Sequence, residues 1–363
     1  MNQSFQQVTL RYLHTELEFR IEDGVSLEPV FEFFGTHFEV GRGQASDHPL
    51  AVIQVIRDGS QFDHITWEQG DEVYIRKSTS SFFTIRARRI GIGETEYFRC
   101  DETGICIAMD KGQRTIIITG ALEGSERENL VLIELIRDLV LKNEENYGVV
   151  VVHATCAYRD DEASIIVGQK GAGKSTTLLE LVHRFHFLFM SGDKTLVWAD
   201  GGKLYASGWP DYPHLGLGTM SKYSQLVEIY NLADSIAAAQ ETIWSGEHKI
   251  AASPDVFKTV IPMTESGLTC PIGRIVYPQL YQSERCEARP VTDHIGRLIP
   301  HVERMFSEGA VLWNSYVEPS TDEAYSLALR SCLELLGELP AVMVEGSGVI
   351  KESDWESAIR SSK

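Results

Sequence analysis

The chain has 363 residues, 43% of them hydrophobic and 23% charged, which is ample apolar material for two soluble domains or one large one. Its 52 acidic and 33 basic residues give a net charge of −19, and no Lys/Arg-rich run occurs, which argues against a nucleic-acid partner. There is no apolar run of about 18 residues to cross a membrane and no basic or apolar leader after Met1. The six cysteines are scattered without a C-x-x-C pair, so the reading is a cytoplasmic protein with reduced thiols and no membrane partner.

In chain order, period-two alternation predicts strands at Val8–Leu13, Glu16–Ile21, Ala51–Ile56, Glu72–Arg76, Phe82–Arg86, Gly104–Ala108 and Arg114–Thr119. This β-rich stretch, residues 1–125, carries no catalytic constellation and reads as a scaffold, docking or oligomerisation domain. Ser125-Glu-Arg-Glu128 is a capping box before a helical run to Leu141, taken as the start of a second domain over 126–363. Val149–Val152 reads as a fully buried strand, Arg159–Glu162 as a charged turn, and Ala163–Val167 as a second strand. A helix follows over Thr176–Arg184, then a buried strand Phe185–Met190 that ends in Ser191-Gly192-Asp193. Further on, the pattern predicts a strand at Lys203–Ala206, a Gly/Pro-rich loop at Gly208–Gly218 and a helix over Gln225–Ala239. Strands are expected at Thr259–Met263 and Ile272–Tyr277, helices from Asp293 to about Met305 and from Thr321 to about Leu336, and a last strand at Ala341–Val344.

Between the Ala163–Val167 strand and its helix stands Gly168-Gln169-Lys170-Gly171-Ala172-Gly173-Lys174-Ser175, a G-x-x-x-x-G-K-S match in the strand–turn–helix context that gives it meaning. The glycines let backbone N–H groups turn inward, and the helix adds its positive N-terminal end. Residues 168–176, Thr176 included, are the expected phosphate cradle. Lys174 would reach the β- and γ-phosphates, and the Ser175 hydroxyl would ligate Mg²⁺. The motif does not say whether the phosphate is transferred, hydrolysed or held.

Two flanking residues could add chemistry. Asp193 sits at the end of the strand after the loop helix, where a carboxylate can ligate Mg²⁺ or take a proton from an attacking hydroxyl; a plain turn residue is the competing reading. His153 follows the valine strand and could contact the γ-phosphate or orient the base; a hydrogen-bonded structural histidine is the alternative. Lys170, Arg184 and Lys194 could offset phosphate charge, but each also reads as a solvated surface residue. No LSGGQ, no NKxD and no apolar run ending in Asp-Glu is present, which leaves small kinases and compact phosphotransferases.

Gly148-Val-Val-Val-Val-His153-Ala154, the loop and helix of Ile165–Leu178, and Leu181–Asp193 together resemble the HPr kinase/phosphorylase superfamily. They are most similar to the HPr-kinase-related proteins of modified-peptide clusters, such as lasso-peptide kinases. The resemblance covers roughly 128–345 and is specific around the loop. It implies an α/β P-loop domain of HPr kinase / PEP-carboxykinase type, preceded by a β-rich α+β N-terminal domain. It places the catalytic base on Asp193, the histidine before the loop on His153, the phosphate-binding lysine on Lys174 and the metal-binding serine on Ser175. The chain departs from the family's Asp-Asp pair, which reads Gly192-Asp193 or Asp193-Lys194 depending on register; one carboxylate remains, and Glu228 and Glu247 are candidates for a further metal ligand.

The resulting expectation is an ATP- and Mg²⁺-dependent kinase that phosphorylates a hydroxyl, most plausibly a serine of a peptide or small protein. Asp193, His153 and Lys174 are the catalytic residues, with Ser175 and Asp193 at the metal; relatives assemble, so a homo-oligomer is expected. The alternatives are a small-molecule kinase or nucleotidyl-transferring enzyme, and a non-catalytic ATP-binding switch.

Overall fold

A computed structural model describes residues 4–355 except 79, 121, 246–247, 293 and 308–312. The protein is a mixed α/β chain with large sheets. Two compact units are formed, Met1–Tyr147 with Arg304–Thr321, and Gly148–Glu303 with Asp322–Lys363.

In the first unit the strands are β1 (Phe5–Tyr12), β2 (Thr15–Glu22), β3 (Glu39–Arg42), β4 (Ala51–Ile56), β5 (Asp71–Arg76), β6 (Ile85–Ile92), β7 (Thr95–Cys100), β8 (Cys106–Asp110) and β9 (Thr115–Thr119), so that the stretch expected at Phe82–Arg86 is strand only from Ile85. Among the described residues they form one sheet in the order β3-β1-β2-β4-β9-β8-β7-β6-β5. The β2–β4 and β4–β9 pairs are parallel and the others antiparallel. Helix α1 (Glu28–Phe34) buries Val30, Phe31, Phe33 and Phe34; neither it nor β3 and β7 was expected from the pattern.

Helix α2 (Glu126–Asn146) starts as the sequence indicates. The Glu128 amide donates to Ser125 Oγ at 3.3 Å, and the Ser125 amide donates to Glu128 Oε2 at 3.0 Å. The division between units falls after this helix, at Tyr147/Gly148, and not at 125/126. The reason lies in its burial: Leu130–Ile133, Leu135, Ile136 and Leu139–Leu141 are all covered, so most of its circumference belongs to the first unit's core. Its polar residues hold the returning segment, through Asn314 Nδ2 to Asp138 Oδ2 at 2.7 Å and the Met305 amide to Glu145 Oε2 at 2.5 Å.

The second unit contains β10 (Val150–Arg159), β11 (Glu162–Val167), α3 (Lys174–Phe185), β12 (Leu188–Ser191), β13 (Lys194–Asp200), β14 (Lys203–Gly208) and β15 (His214–Gly216). It continues with short helices α4 (Leu217–Met220), α5 (Ser224–Ile229) and α6 (Ala233–Ala238), strand β16 (Lys249–Ala251) and α7 (Pro254–Phe257). Then come β17 (Thr269–Leu280), β18 (Cys286–Pro290), α8 (Ile295–Leu298), β19 (Val302–Glu303), α9 (Asp322–Glu338) and β20 (Ala341–Gly346). Antiparallel pairs β10–β11, β10–β13, β13–β14 and β14–β17, with the parallel pair β11–β17, close a ring. The apolar runs Val150–Val152 of β10 and Ile165–Val167 of β11 are buried, as expected where both faces of a sheet are covered. Ile166, Val276 and Val342 pack with Leu178, Leu181, Val182 and Phe185 of α3, while Ile165, Val167 and Ile275 pack with Leu298 of α8 and Cys332 and Leu336 of α9.

The strand before the loop strand pairs with it antiparallel, through a hairpin whose Asp160 and Asp161 both take positive φ (54° and 61°), as a tight two-residue turn requires. Three expectations are corrected. Gln225–Ala239 is two helices, broken where Asn231 takes φ 51°. Thr259–Met263 is not a strand; Met263 makes only an isolated bridge to Phe189. The helix expected from Asp293, itself outside the described residues, to Met305 stops at Leu298, followed by a 3-10 turn Ile299–His301 and β19. Pro300, in that turn, has no N–H to donate, so it cannot extend the helical hydrogen-bond ladder.

Removing the cap in Ser125→Ala should cost the first unit about 1 kcal/mol, read as a lowered thermal midpoint. An unchanged midpoint would mean that burial alone fixes the start of α2.

Candidate active site

The G-x-x-x-x-G-K-S segment runs from the end of β11 into the first turn of α3. Gly171 and Gly173 adopt φ +88° and +104°, a region that L side chains rarely enter. A Cβ on Gly171 would meet nothing within 4 Å, whereas one on Gly173 would lie 2.4 Å from Leu280 Cγ. The end of β17 therefore braces the loop, and the Leu280 amide also donates to Ala172 O at 2.9 Å. The Ala172 amide donates to Gln169 O at 3.0 Å, closing the loop on itself. Gln169, Lys170 and Gly171 are exposed, while Gly168, Ala172, Gly173, Lys174 and Ser175 are half-buried. Amides in the first turn of a helix have no intrahelical partner, so they remain free to meet an anion. Thr176 is buried, and its hydroxyl lies 2.7 Å from that of Thr219 in α4.

Lys174 Nζ donates to Gly168 O at 2.7 Å, folded back on its own loop. Burial pushes this ammonium below the ordinary lysine value; the nearby Asp193 carboxylate works against that shift, and the charge of Lys249 on β16 adds to it. The loop lysine thus lies within electrostatic reach of Asp193, which stands between β12 and β13.

β10 explains why. Its neighbours on both edges are interrupted at one level. On one edge β11 ends at Val167, opposite Ala154, and further down Glu303 of β19 pairs with Val151. On the other edge β12 ends at Ser191, opposite Cys156, and β13 resumes at Lys194, opposite His153. Gly192 and Asp193 are the break between them. The buried hydroxyl of Thr195 donates to Ala154 O at 3.0 Å, satisfying a carbonyl at this break. His153 is therefore not at a strand end, as the sequence suggested, but inside a ten-residue strand at the level where its neighbours diverge.

At this level Asp193 Oδ1 lies 3.5 Å from His153 Nε2, with the two side chains 41% and 38% exposed. On the far side of the ring, Nδ1 lies 3.2 Å from Glu303 Oε1, and the other Glu303 oxygen contacts Lys194 Nζ. Burial alone would raise the Glu303 carboxyl, but the His153 hydrogen bond and the Lys194 charge outweigh it and hold the group at about 2. The His301 ring is centred 6.4 Å from that of His153; burial, then the charges of Lys174 and His153, push its value down.

Asp193, His153 and Lys174 are thus brought together, and Ser175 follows Lys174 in the same turn. Lys194 is tied to Glu303, while Arg184 Nη1 is tied to Glu180 Oε1 at 2.5 Å and Ile350 O at 3.0 Å. Glu228 lies on α5, and Glu247 lies outside the described residues. Sequence reasoning missed Glu303 and His301 because it placed them in a helix; the signal available was Pro300 followed by Val302-Glu303. Among the described residues no three His, Cys, Asp or Glu side chains are arranged to hold a metal ion. No helix among them is long and apolar enough to cross a membrane.

No known family matches the chain, and no curated protein does. Among solved structures the chain is similar to the HPr(Ser) kinase/phosphatase from Coxiella burnetii, at 14% sequence identity and a TM-score of 0.23, over 39% of this chain and 70% of that one. A likeness of that size does not bear on chemistry, which rests on this chain's own residues.

The two positive-φ glycines should behave differently. Gly171→Ala meets only backbone strain of about 1–2 kcal/mol. Gly173→Ala adds the clash with Leu280 and should abolish binding of a fluorescent ATP analogue, with partial recovery in the Gly173→Ala/Leu280→Ala double variant. Equal effects of the two single substitutions would contradict the bracing role of β17.

Proposed function

We propose that this protein is a P-loop kinase that transfers the γ-phosphoryl group of ATP to a hydroxyl, with a serine of a peptide or small protein as the favoured acceptor. The observation that supports this reading is the meeting of Lys174, Asp193 and His153, from three separate segments, around the end of β11. A carboxylate beside the lysine that meets the terminal phosphates can act as base toward a hydroxyl attacking them.

The loop amides and Lys174 hold the phosphates, replacing the loop's internal Lys174–Gly168 contact. The Ser175 hydroxyl and Asp193 are the oxygen donors offered to Mg²⁺, which when bound neutralises phosphate charge. Two such donors suffice, because Mg²⁺ takes its remaining oxygens from phosphates and water. Asp193 accepts the acceptor hydroxyl's proton as the oxygen bonds to the γ-phosphorus. The bond from that phosphorus to the β–γ bridging oxygen breaks, and the electron pair leaves on ADP. His153 orients the Asp193 carboxylate. Since the reacting groups are held at the loop, the rate gain comes from positioning and from charges already in place.

The test uses ATP labelled at the α- or the γ-phosphate, with small peptides and proteins of a cell extract as acceptors. Label should pass from the γ position alone, as one phosphate by mass. Lys174→Ala and Asp193→Asn should each lower transfer by at least ~100-fold, the scale of general-base catalysis, while circular dichroism stays that of the parent. Transfer of the α label would overturn the kinase reading in favour of nucleotidyl transfer. Full activity of Asp193→Asn would remove the base assignment.

A further inference from the structure

The kinase reading gives Asp193 a proton to accept and His153 a carboxylate to orient, but says nothing of what orients His153. An imidazole half-exposed on a strand turns easily about its Cβ–Cγ bond, and a half-turn replaces a nitrogen by a carbon at either edge. Here the ring has its two nitrogens placed against two carboxylates, Nδ1 at 3.2 Å from Glu303 and Nε2 at 3.5 Å from Asp193. Glu303 is held more firmly than Asp193. Its backbone is paired with Val151, two residues from His153, and its second oxygen is taken by Lys194, which is paired directly with His153 on the opposite edge of β10. Residues two apart on a strand share a face, so Glu303, His153 and Lys194 form a row across three strands. Asp193 sits in a two-residue break, with fewer constraints.

We propose that Glu303 is the positioning residue of the site. By accepting the hydrogen on Nδ1 it fixes the His153 ring so that Nε2 faces Asp193, and Lys194 holds Glu303 in place for that task. Glu303 is then the second carboxylate of the site in a new role. With one oxygen on His153 and the other on Lys194, it is occupied on both sides and does not serve the metal. A carboxylate behind a histidine is a familiar way to fix the direction of the ring. The inference rests on the kinase reading only for its effect on rate; the claim about the ring stands or falls on its own.

The experiment is ¹⁵N NMR of the histidine-labelled full chain, with His153 assigned through His153→Gln, on the parent, Glu303→Gln, Glu303→Ala and Lys194→Met. The parent should show a hydrogen on Nδ1 of His153 that exchanges slowly with solvent. Glu303→Ala should lose it, Glu303→Gln should retain part of it through the remaining oxygen, and Lys194→Met should weaken it, with the other histidine resonances unchanged in all three. Steady-state turnover of Mg-ATP should fall at least tenfold in kcat for Glu303→Ala, less for Glu303→Gln, with the ATP KM unaltered. A slowly exchanging Nδ1 hydrogen that survives Glu303→Ala would overturn the proposal, as would a loss carried entirely by KM. If the parent turns over no ATP with any acceptor, the kinase reading falls, and the NMR result alone decides for or against Glu303 as the group that fixes the ring.

Discussion

The break on both edges of β10 is the constraint on which the site depends. A strand in a sheet is normally paired along its whole length, since an unpaired backbone group away from water is costly. β10 keeps nearly all of its pairing by changing partners, from β11 and β12 at its C-terminal end to β19 and β13 at its N-terminal end. The changeover occurs at His153 and Ala154, and each departing strand leaves something useful there. β11 continues into the glycine loop, and the break between β12 and β13 presents Asp193. The cost is local and is met locally, by Thr195 on the Ala154 carbonyl.

Charge follows from the same arrangement. The protein as a whole is strongly acidic, with a net charge of −19, which is the wrong sign for holding triphosphates. The loop region differs because Lys174 and Lys249 lie within reach of each other, and because first-turn amides of α3 point outward from a helix end. Burial and the charge of Lys249 lower the proton affinity of Lys174, and an anion bound at the loop offsets that positive charge. Asp193 balances part of this charge, and Glu303 with Lys194 forms a neutral pair beside it, so the carboxylate on the loop side is the one left for chemistry.

Much of this was legible from the chain alone. The loop announced itself through spacing, because glycines with positive φ and a lysine at the helix start are local requirements with few substitutes. The capping box at Ser125, the charged turn at Arg159–Glu162 and the Val149–Val152 strand were equally local. What was not legible depended on pairing between distant segments. His153 looked like a strand end because the valine run stopped there, yet β10 continues six residues further as a mixed sequence, Ala-Thr-Cys-Ala-Tyr-Arg. Glu303 was hidden because the apolar spacing from Ile295 onward fits a helix, and only pairing with Val151 and Val152 draws Val302 and Glu303 into a strand. The boundary after α2 was missed for the same reason: a helix's allegiance is decided by what covers it, and α2 is covered on most sides by residues far away in sequence.

The most direct test of the account is a crystal structure with Mg²⁺ and a non-hydrolysable ATP analogue. The account expects the β- and γ-phosphates on the amides of residues 171–175, Lys174 Nζ moved from Gly168 O onto the γ-phosphate, and the Asp193 carboxylate facing the open side of that phosphate with His153 behind it. A triphosphate bound away from the loop, or a γ-phosphate out of reach of Asp193, would contradict it.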